Sequence, residues 1–145
     1  AVFAQGVDGG PKILEHLVEP DTLVLLRFGA GIRDLGRIAP RILVIPKIPF
    51  APPSLVLDLR RQDLNTLGRN GFLEANVLPI ALSLRSYIES IVRSTGKLAV
   101  IFLDPKLLPG QRGWGRDFME SFQDMERVVC PQEQAIARVS QWLRG

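Results

Sequence analysis

Residues 78–106 read LPIALSLRSYIESIVRSTGKLAVIFLDPK and decide the fold. The first half predicts a helix, because Pro79 suits a first helical position, where its missing N–H has no partner to lose, and Gly96 suits a left-handed end. Residues 98–103 then form an unbroken apolar run, which predicts a buried strand covered on both faces, as in parallel sheets flanked by helices. The apolar residues of the helix recur at intervals of three and four, which makes one stripe: Ile80, Leu84, Ile88, Ile91 and Val92.

The rest of the chain repeats this alternation of strand and helix, which predicts βαβ units and a mainly parallel sheet. Its 145 residues suit one domain. The chain opens on Ala1 without Met or a leader, so we expect a piece of a longer protein. Residues 55–72 are weakly patterned and predict only short helical pieces. The other predicted strands are residues 1–4, 23–28, 42–45 and 127–130, and the other predicted helices are residues 11–18, residues 116–122 and a last helix starting at Pro131.

Composition excludes several kinds of chemistry. Cys130 and His16 are the only residues of their types, which removes a disulfide framework, a cysteine metal site and most zinc or Ser-His-Asp schemes. The near absence of cysteine favours a reducing, cytoplasmic setting. The chain contains no apolar run of about 18 residues, so no membrane span is predicted. The net charge of +3 permits an anionic partner. Seven basic residues lie between Arg27 and Arg61, and they form either a surface that binds an anionic partner or an ordinary solvated face.

Nucleotide-binding motifs are missing or incomplete. The chain has no G-x-x-x-x-G-K-[ST] sequence, so it lacks the loop that cradles phosphates. Gly29 and Gly31 follow a predicted strand, but the third glycine of a dinucleotide fingerprint is absent at the required spacing. Asp104 follows an apolar run like a Walker B acid, yet without a phosphate loop it reads as the end of a strand. Chemistry alone therefore predicts an α/β domain of unknown purpose.

Four segments, in collinear order, resemble the second RecA-like lobe of DinG/XPD-type helicases of superfamily two. Residues 28–36, FGAGIRDLG, are similar to motif V of that family, F-W-E-G-V-D-L-P-G. Residues 45–53, IPKIPFAPP, resemble I-D-K-L-P-F-x-x-P, which is the most specific match. Residues 103–106, LDPK, and 114–118, WGRDF, resemble L-D-P-R and Y-G-R-x-F. The resemblance implies a three-layer RecA-like domain with a mainly parallel sheet, and residues 1–145 would form one such lobe.

The resemblance also implies a nucleotide site. In the family, ATP and magnesium lie between two lobes, and arginines of motif VI, Q-x-x-G-R-x-x-R, stabilise the γ-phosphate, a contribution on the order of 10³–10⁵ in rate for such arginines. Only the last arginine is kept here, so Arg93 is the predicted catalytic and nucleotide-binding residue, with Gly31 and Arg33 of motif V as further nucleotide contacts. The alternative is that Arg93 forms an ion pair with Glu89. The aligned motif VI positions are Ser86, Glu89, Ser90 and Arg93.

A nucleic-acid surface is the second implication. In the family, motif V and nearby loops contact the DNA backbone, so Arg33 and Arg37 are predicted phosphate contacts and Trp114 a base-stacking residue. The alternative for Trp114 is packing against the last helix. The expected partners are a first RecA-like lobe of the same longer chain and single-stranded DNA, with no membrane.

Three functions remain open. The first is the C-terminal motor lobe of a DinG-like DNA helicase, which is not catalytic alone. The second is a helicase-derived scaffold that binds DNA or protein without ATPase activity. The third is an unrelated α/β domain.

Overall fold

The computed structural model describes residues 2–4, 23–25 and 40–145. The predicted helix at residues 11–18 lies outside these ranges. A π-helical turn, Leu73–Val77, precedes the second helix, and a 3₁₀ turn, Pro105–Leu107, follows the fourth strand. The strands are β1 Val2–Ala4, β2 Leu23–Leu25, β3 Ile42–Ile45 and β4 Ala99–Phe102, and the helices are α1 Leu55–Thr66, α2 Leu78–Thr95, α3 Gly115–Glu120 and α4 Gln132–Arg144.

The strands pair in parallel, which confirms the predicted α/β class. β1 pairs with β2, and β3 pairs with β4, with Ile42 opposite Ala99 and Ile45 opposite Phe102. The chain between β3 and β4 carries α1 and α2, as a parallel connection requires a long crossover. In the described ranges the strands form two separate two-stranded sheets.

Helix α2 begins and ends where it was predicted, and Pro79 lies in its first turn. Gly96 adopts a left-handed conformation (φ 79°), and its N–H donates to the carbonyl of Val92, as predicted. The difference is that helical backbone precedes α2 from Gly71 onward, so the first turn of α2 is not a free helix end. The backbone passes through the π turn, where the N–H of Leu78 donates to the carbonyl of Leu73. A wider turn relieves the clash between a proline ring and the carbonyl four residues before it.

The core lies between α2, α3 and the inner face of β3–β4. Leu84 and Ile91 of α2 and Phe118 of α3 are fully buried, and the ring of Phe102 meets that of Phe118 edge-on at 5.9 Å. The predicted burial of β4 is confirmed in part, since each of its four residues is half-buried. The neighbouring strand β3 is more open on its outer face, where Val44 is 47% exposed, whereas Leu43 packs against the core together with Val100 and Phe102 of β4.

The C-terminal third of the chain confirms two predictions and corrects one. Helices α3 and α4 lie where they were predicted. Residues 127–130 were predicted as a strand and form none, and the side chains of Val128 and Val129 are exposed. Apolar β-branched residues favour a strand, but a strand also needs a partner edge, and within residues 40–145 none pairs with this segment.

The weakly patterned residues 55–72 contain a full helix, α1. Ser54 caps it, since its hydroxyl accepts a hydrogen bond from the N–H of Leu57 at 3.2 Å. Among the helices that the structure describes, none combines the length and the apolar character that crossing a membrane requires.

Candidate functional site

One buried carboxylate joins the loops that follow β3 and β4. Asp104 is only 7% exposed; its Oδ2 accepts a hydrogen bond from the N–H of Ile48 at 3.2 Å and its Oδ1 accepts one from the N–H of Lys106 at 3.1 Å. Because β3 and β4 are parallel, both loops leave the same edge of the sheet, the edge at which open α/β sheets bind ligands. We call this region the Asp104 corner: Lys47, Ile48, Phe50, Asp104, Lys106, Trp114 and Gly115.

Aromatic rings form one wall of the Asp104 corner. The ring of Trp114 meets that of Phe50 edge-on at 4.9 Å and that of Phe118 at 6.1 Å. Phe50 also contacts Phe72, at 5.6 Å between ring centroids. The packing alternative for Trp114 named the last helix, but neither of these partners belongs to α4. Trp114 is half-buried, so part of its surface remains available to a ligand.

A glycine holds Trp114 beside Lys106. Gly115 is buried, and a Cβ atom added to it would lie 1.8 Å from the carbonyl oxygen of Lys106. Only glycine allows this approach of the two backbones. It brings the ammonium of Lys106 to 6.0 Å from the centroid of the Trp114 ring, within the range of a cation–π contact.

The Asp104 corner presents cations to solvent. The side chains of Lys47 and Lys106 are exposed, whereas the Asp104 carboxylate is turned inward onto backbone N–H groups. Arg112, in the loop before Trp114, is also exposed. Lys106 can hold an anionic group while the half-buried indole of Trp114 stacks on a planar one, and Lys47 adds an exposed cation in the loop after β3.

Sequence reasoning did not assign a site role to Lys47, Phe50, Asp104 or Lys106. The signal was nevertheless in the sequence, because these residues belong to the segments 45–53 and 103–106 that resemble the helicase family. What the sequence did not reveal is that the two segments contact each other.

Arg93 lies in the last turn of α2 and is exposed. It makes no hydrogen bond to any residue in the described ranges. The predicted ion pair between Arg93 and Glu89 is wrong, because Glu89 accepts a hydrogen bond from Arg85 Nε at 2.8 Å. Arg85 also donates hydrogen bonds to both carboxylate oxygens of Asp124, from Nη1 to Oδ1 at 2.8 Å and from Nη2 to Oδ2 at 2.6 Å. These bonds lower the pKa of Asp124.

Arg93 and the Asp104 corner lie at opposite edges of the β3–β4 sheet. Arg93 precedes the start of β4, and Lys106 follows its end. Four strand residues span about 13 Å, so a nucleotide contact at Arg93 and a nucleic-acid contact at Trp114 would be separate sites.

The other predicted site residues, Gly31, Arg33 and Arg37, lie outside the residues that the structure describes. Within those it does describe, no group of three or more His, Cys, Asp or Glu side chains is placed to hold a metal ion.

Comparisons with known proteins identify no relative. No protein-family model matches the chain, and neither a curated protein nor a solved structure resembles it significantly.

Proposed function

We propose that the chain is the C-terminal RecA-like motor lobe of a DinG-like, ATP-dependent DNA helicase. The observation that carries this proposal is the Asp104 corner. Three segments that resemble the helicase family, residues 45–53, 103–106 and 114–118, contact each other there, although the first of them is distant in the sequence from the other two. Parallel strand pairing is also what a three-layer RecA-like domain requires.

Single-stranded DNA is the proposed ligand of the corner. Lys47 and Lys106 would contact phosphates, which position a strand without reading its sequence, and Trp114 would stack on a base. Arg33 of the motif V segment and Arg37 directly after it would add further phosphate contacts. This assignment is supported by the exposure of both lysines and by the inward direction of the nearby carboxylate.

ATP and magnesium are proposed to lie between this lobe and a first RecA-like lobe of the same longer chain. Arg93 suits the role of the cation that reaches the γ-phosphate, because its side chain is exposed and no described residue engages it. Gly31 and Arg33 would be further nucleotide contacts. The bound nucleotide supplies the phosphoryl group that is cleaved, and the first lobe would hold the magnesium ion.

A helicase-derived scaffold without ATPase activity is the second candidate. The observation that favours it is the surface around motif VI. Glu89, bound to Arg85, presents a carboxylate where the family has glycine, and Ser90 stands where the family has an arginine. A carboxylate repels phosphate, and a serine cannot replace the missing cation.

ATP hydrolysis by the full-length protein separates the two candidates. A motor hydrolyses ATP when single-stranded DNA is added, and Arg93→Ala lowers the rate by about 10³-fold or more. Arg138→Ala, which removes an exposed arginine from α4, is the matched control and leaves the rate unchanged. A parent protein that hydrolyses no ATP with any DNA supports the scaffold instead.

Salt dependence tests the DNA contact independently of hydrolysis. Binding of a single-stranded oligomer by the full-length protein should weaken as salt rises, with a log–log slope of about −0.7 per phosphate neutralised. The double variant Lys47→Ala/Lys106→Ala should reduce the magnitude of that slope by about 1.4. Lys97→Ala, before β4 at the other edge of the sheet, should leave it unchanged. An unchanged slope in the double variant would refute the assignment of the corner.

A further inference from the structure

A small cavity adjoins the Asp104 corner. It has a volume of about 150 Å³ and opens to solvent between α2 and the segment that follows Phe50. Most of its walls are apolar, and two side chains, Asn76 and Ser83, bring polar groups to it. The lining residues are Ala51, Ala75, Asn76, Pro79, Ile80 and Ser83.

Asn76 contributes an unused hydrogen-bond acceptor. Its Oδ1 is buried and accepts no hydrogen bond. A buried acceptor without a donor costs about 1–3 kcal/mol, so a ligand N–H that reached it would relieve that cost. The terminal torsion of an asparagine is broad, and a rotation about it turns the amide toward the cavity with little strain. Asn76 also lies in the π turn Leu73–Val77, and such turns recur at functional sites.

We infer that the cavity binds the amino edge of an adenine ring. The Asn76 amide can accept from the exocyclic amino group through Oδ1 and donate to N7 through Nδ2, the pairing by which asparagine recognises adenine. The apolar side chains of Ala51, Pro79 and Ile80 would contact the faces of the ring. A cavity of this volume accommodates a single six-membered ring, so the edge of the purine enters and the sugar stays outside.

This inference rests on the proposed function, in which two ligands carry adenine: single-stranded DNA and ATP. Ala51, which lines the cavity, directly follows Phe50, and the ring of Phe50 packs on that of Trp114 in the corner. The shared chemistry is the adenine ring, and the test distinguishes its two sources.

The experiment compares oligomers of roughly 15 nucleotides binding to the full-length protein. A deoxyadenosine oligomer should bind about tenfold more tightly than a deoxythymidine oligomer, since a bidentate pair discriminates by about 1–3 kcal/mol. The preference should disappear with 7-deaza-deoxyadenosine, which lacks the N7 acceptor, and in Asn76→Leu. Leucine has a similar shape and removes the unsatisfied oxygen, so the variant should fold. Leu82→Ala, which changes an exposed residue of α2 that does not line the cavity, should keep the preference.

Binding of ATP to the parent protein and to Asn76→Leu identifies the source of the adenine. If Asn76→Leu weakens binding of ATP but not of the deoxyadenosine oligomer, the cavity serves the nucleotide. If both oligomers bind equally to the parent and Asn76→Leu leaves ATP binding unchanged, the adenine site is refuted while the proposed function stands. If neither DNA nor ATP binds, both are refuted.

Discussion

Replacing Asp104 by alanine should destabilise the protein by about 2–4 kcal/mol. The carboxylate caps the 3₁₀ turn through the N–H of Lys106, and loss of such a cap costs about 1 kcal/mol. It also accepts from the buried N–H of Ile48, and leaving that donor unsatisfied costs about 1–3 kcal/mol more. Since domains of this kind have a free energy of unfolding of about 5–15 kcal/mol, the loss should be plain in urea denaturation.

Two variants sharpen this measurement. Asp104→Asn keeps one carbonyl oxygen but turns an N–H₂ group toward one of the two donors, so it should destabilise by about half as much. Asp63→Ala, which removes an exposed carboxylate from α1, should change stability by less than about 0.5 kcal/mol. If Asp104→Ala unfolds at the same urea concentration as Asp63→Ala, the carboxylate does not join the two loops and the corner is not a fixed structure.

Further predictions concern Gly115 and Tyr87. Gly115→Ala should lower the thermal midpoint markedly, because the added methyl group would clash with the carbonyl of Lys106. Gly110→Ala, whose methyl group would meet no atom within 4 Å, only strains a left-handed residue and should cost about 1–2 kcal/mol. Equal losses in the two variants would contradict the close approach at Gly115. Burial raises the pKa of Tyr87 from about 10 to about 12, so its stabilising contribution is full below pH 10 and is lost as the pH rises toward 12, because the unfolded chain ionises first. Tyr87 is the only tyrosine, so tyrosinate absorbance reports it directly, and an absorbance midpoint near pH 10 in the folded protein would refute the burial.

The helix–strand pair at residues 78–106 could be predicted because its signals are local. The spacing of Leu84, Ile88 and Ile91 defines the buried face of α2, and Gly96 ends the helix in the backbone conformation that suits glycine. Parallel pairing followed from the alternation of strands and helices. The N-terminal extension to Gly71 could not be predicted, because the π turn that accommodates Pro79 leaves no signature in the apolar spacing.

Interactions between distant segments are what the tertiary structure alone decided. Glu89 is one helical turn from both Arg85 and Arg93, and it accepts its hydrogen bond from Arg85. The side chain of Arg85 is held there because it also binds Asp124, 39 residues further along the chain. Residues 127–130 have strand composition, but strand formation depends on an available edge, which composition does not encode.

The sequence by itself determined the α/β class and the course of α2 into β4, since these depend on neighbours a few residues apart. Only the tertiary structure decided that Asp104 binds the backbone of Ile48, 56 residues away, and that Trp114 packs on Phe50. The physical reason is that the parallel strands bring the loops after β3 and β4 to one edge of the sheet. A buried carboxylate there binds the N–H groups that lie next to it, and an aromatic ring packs on the nearest apolar surface. Neither neighbour is defined until the chain has folded.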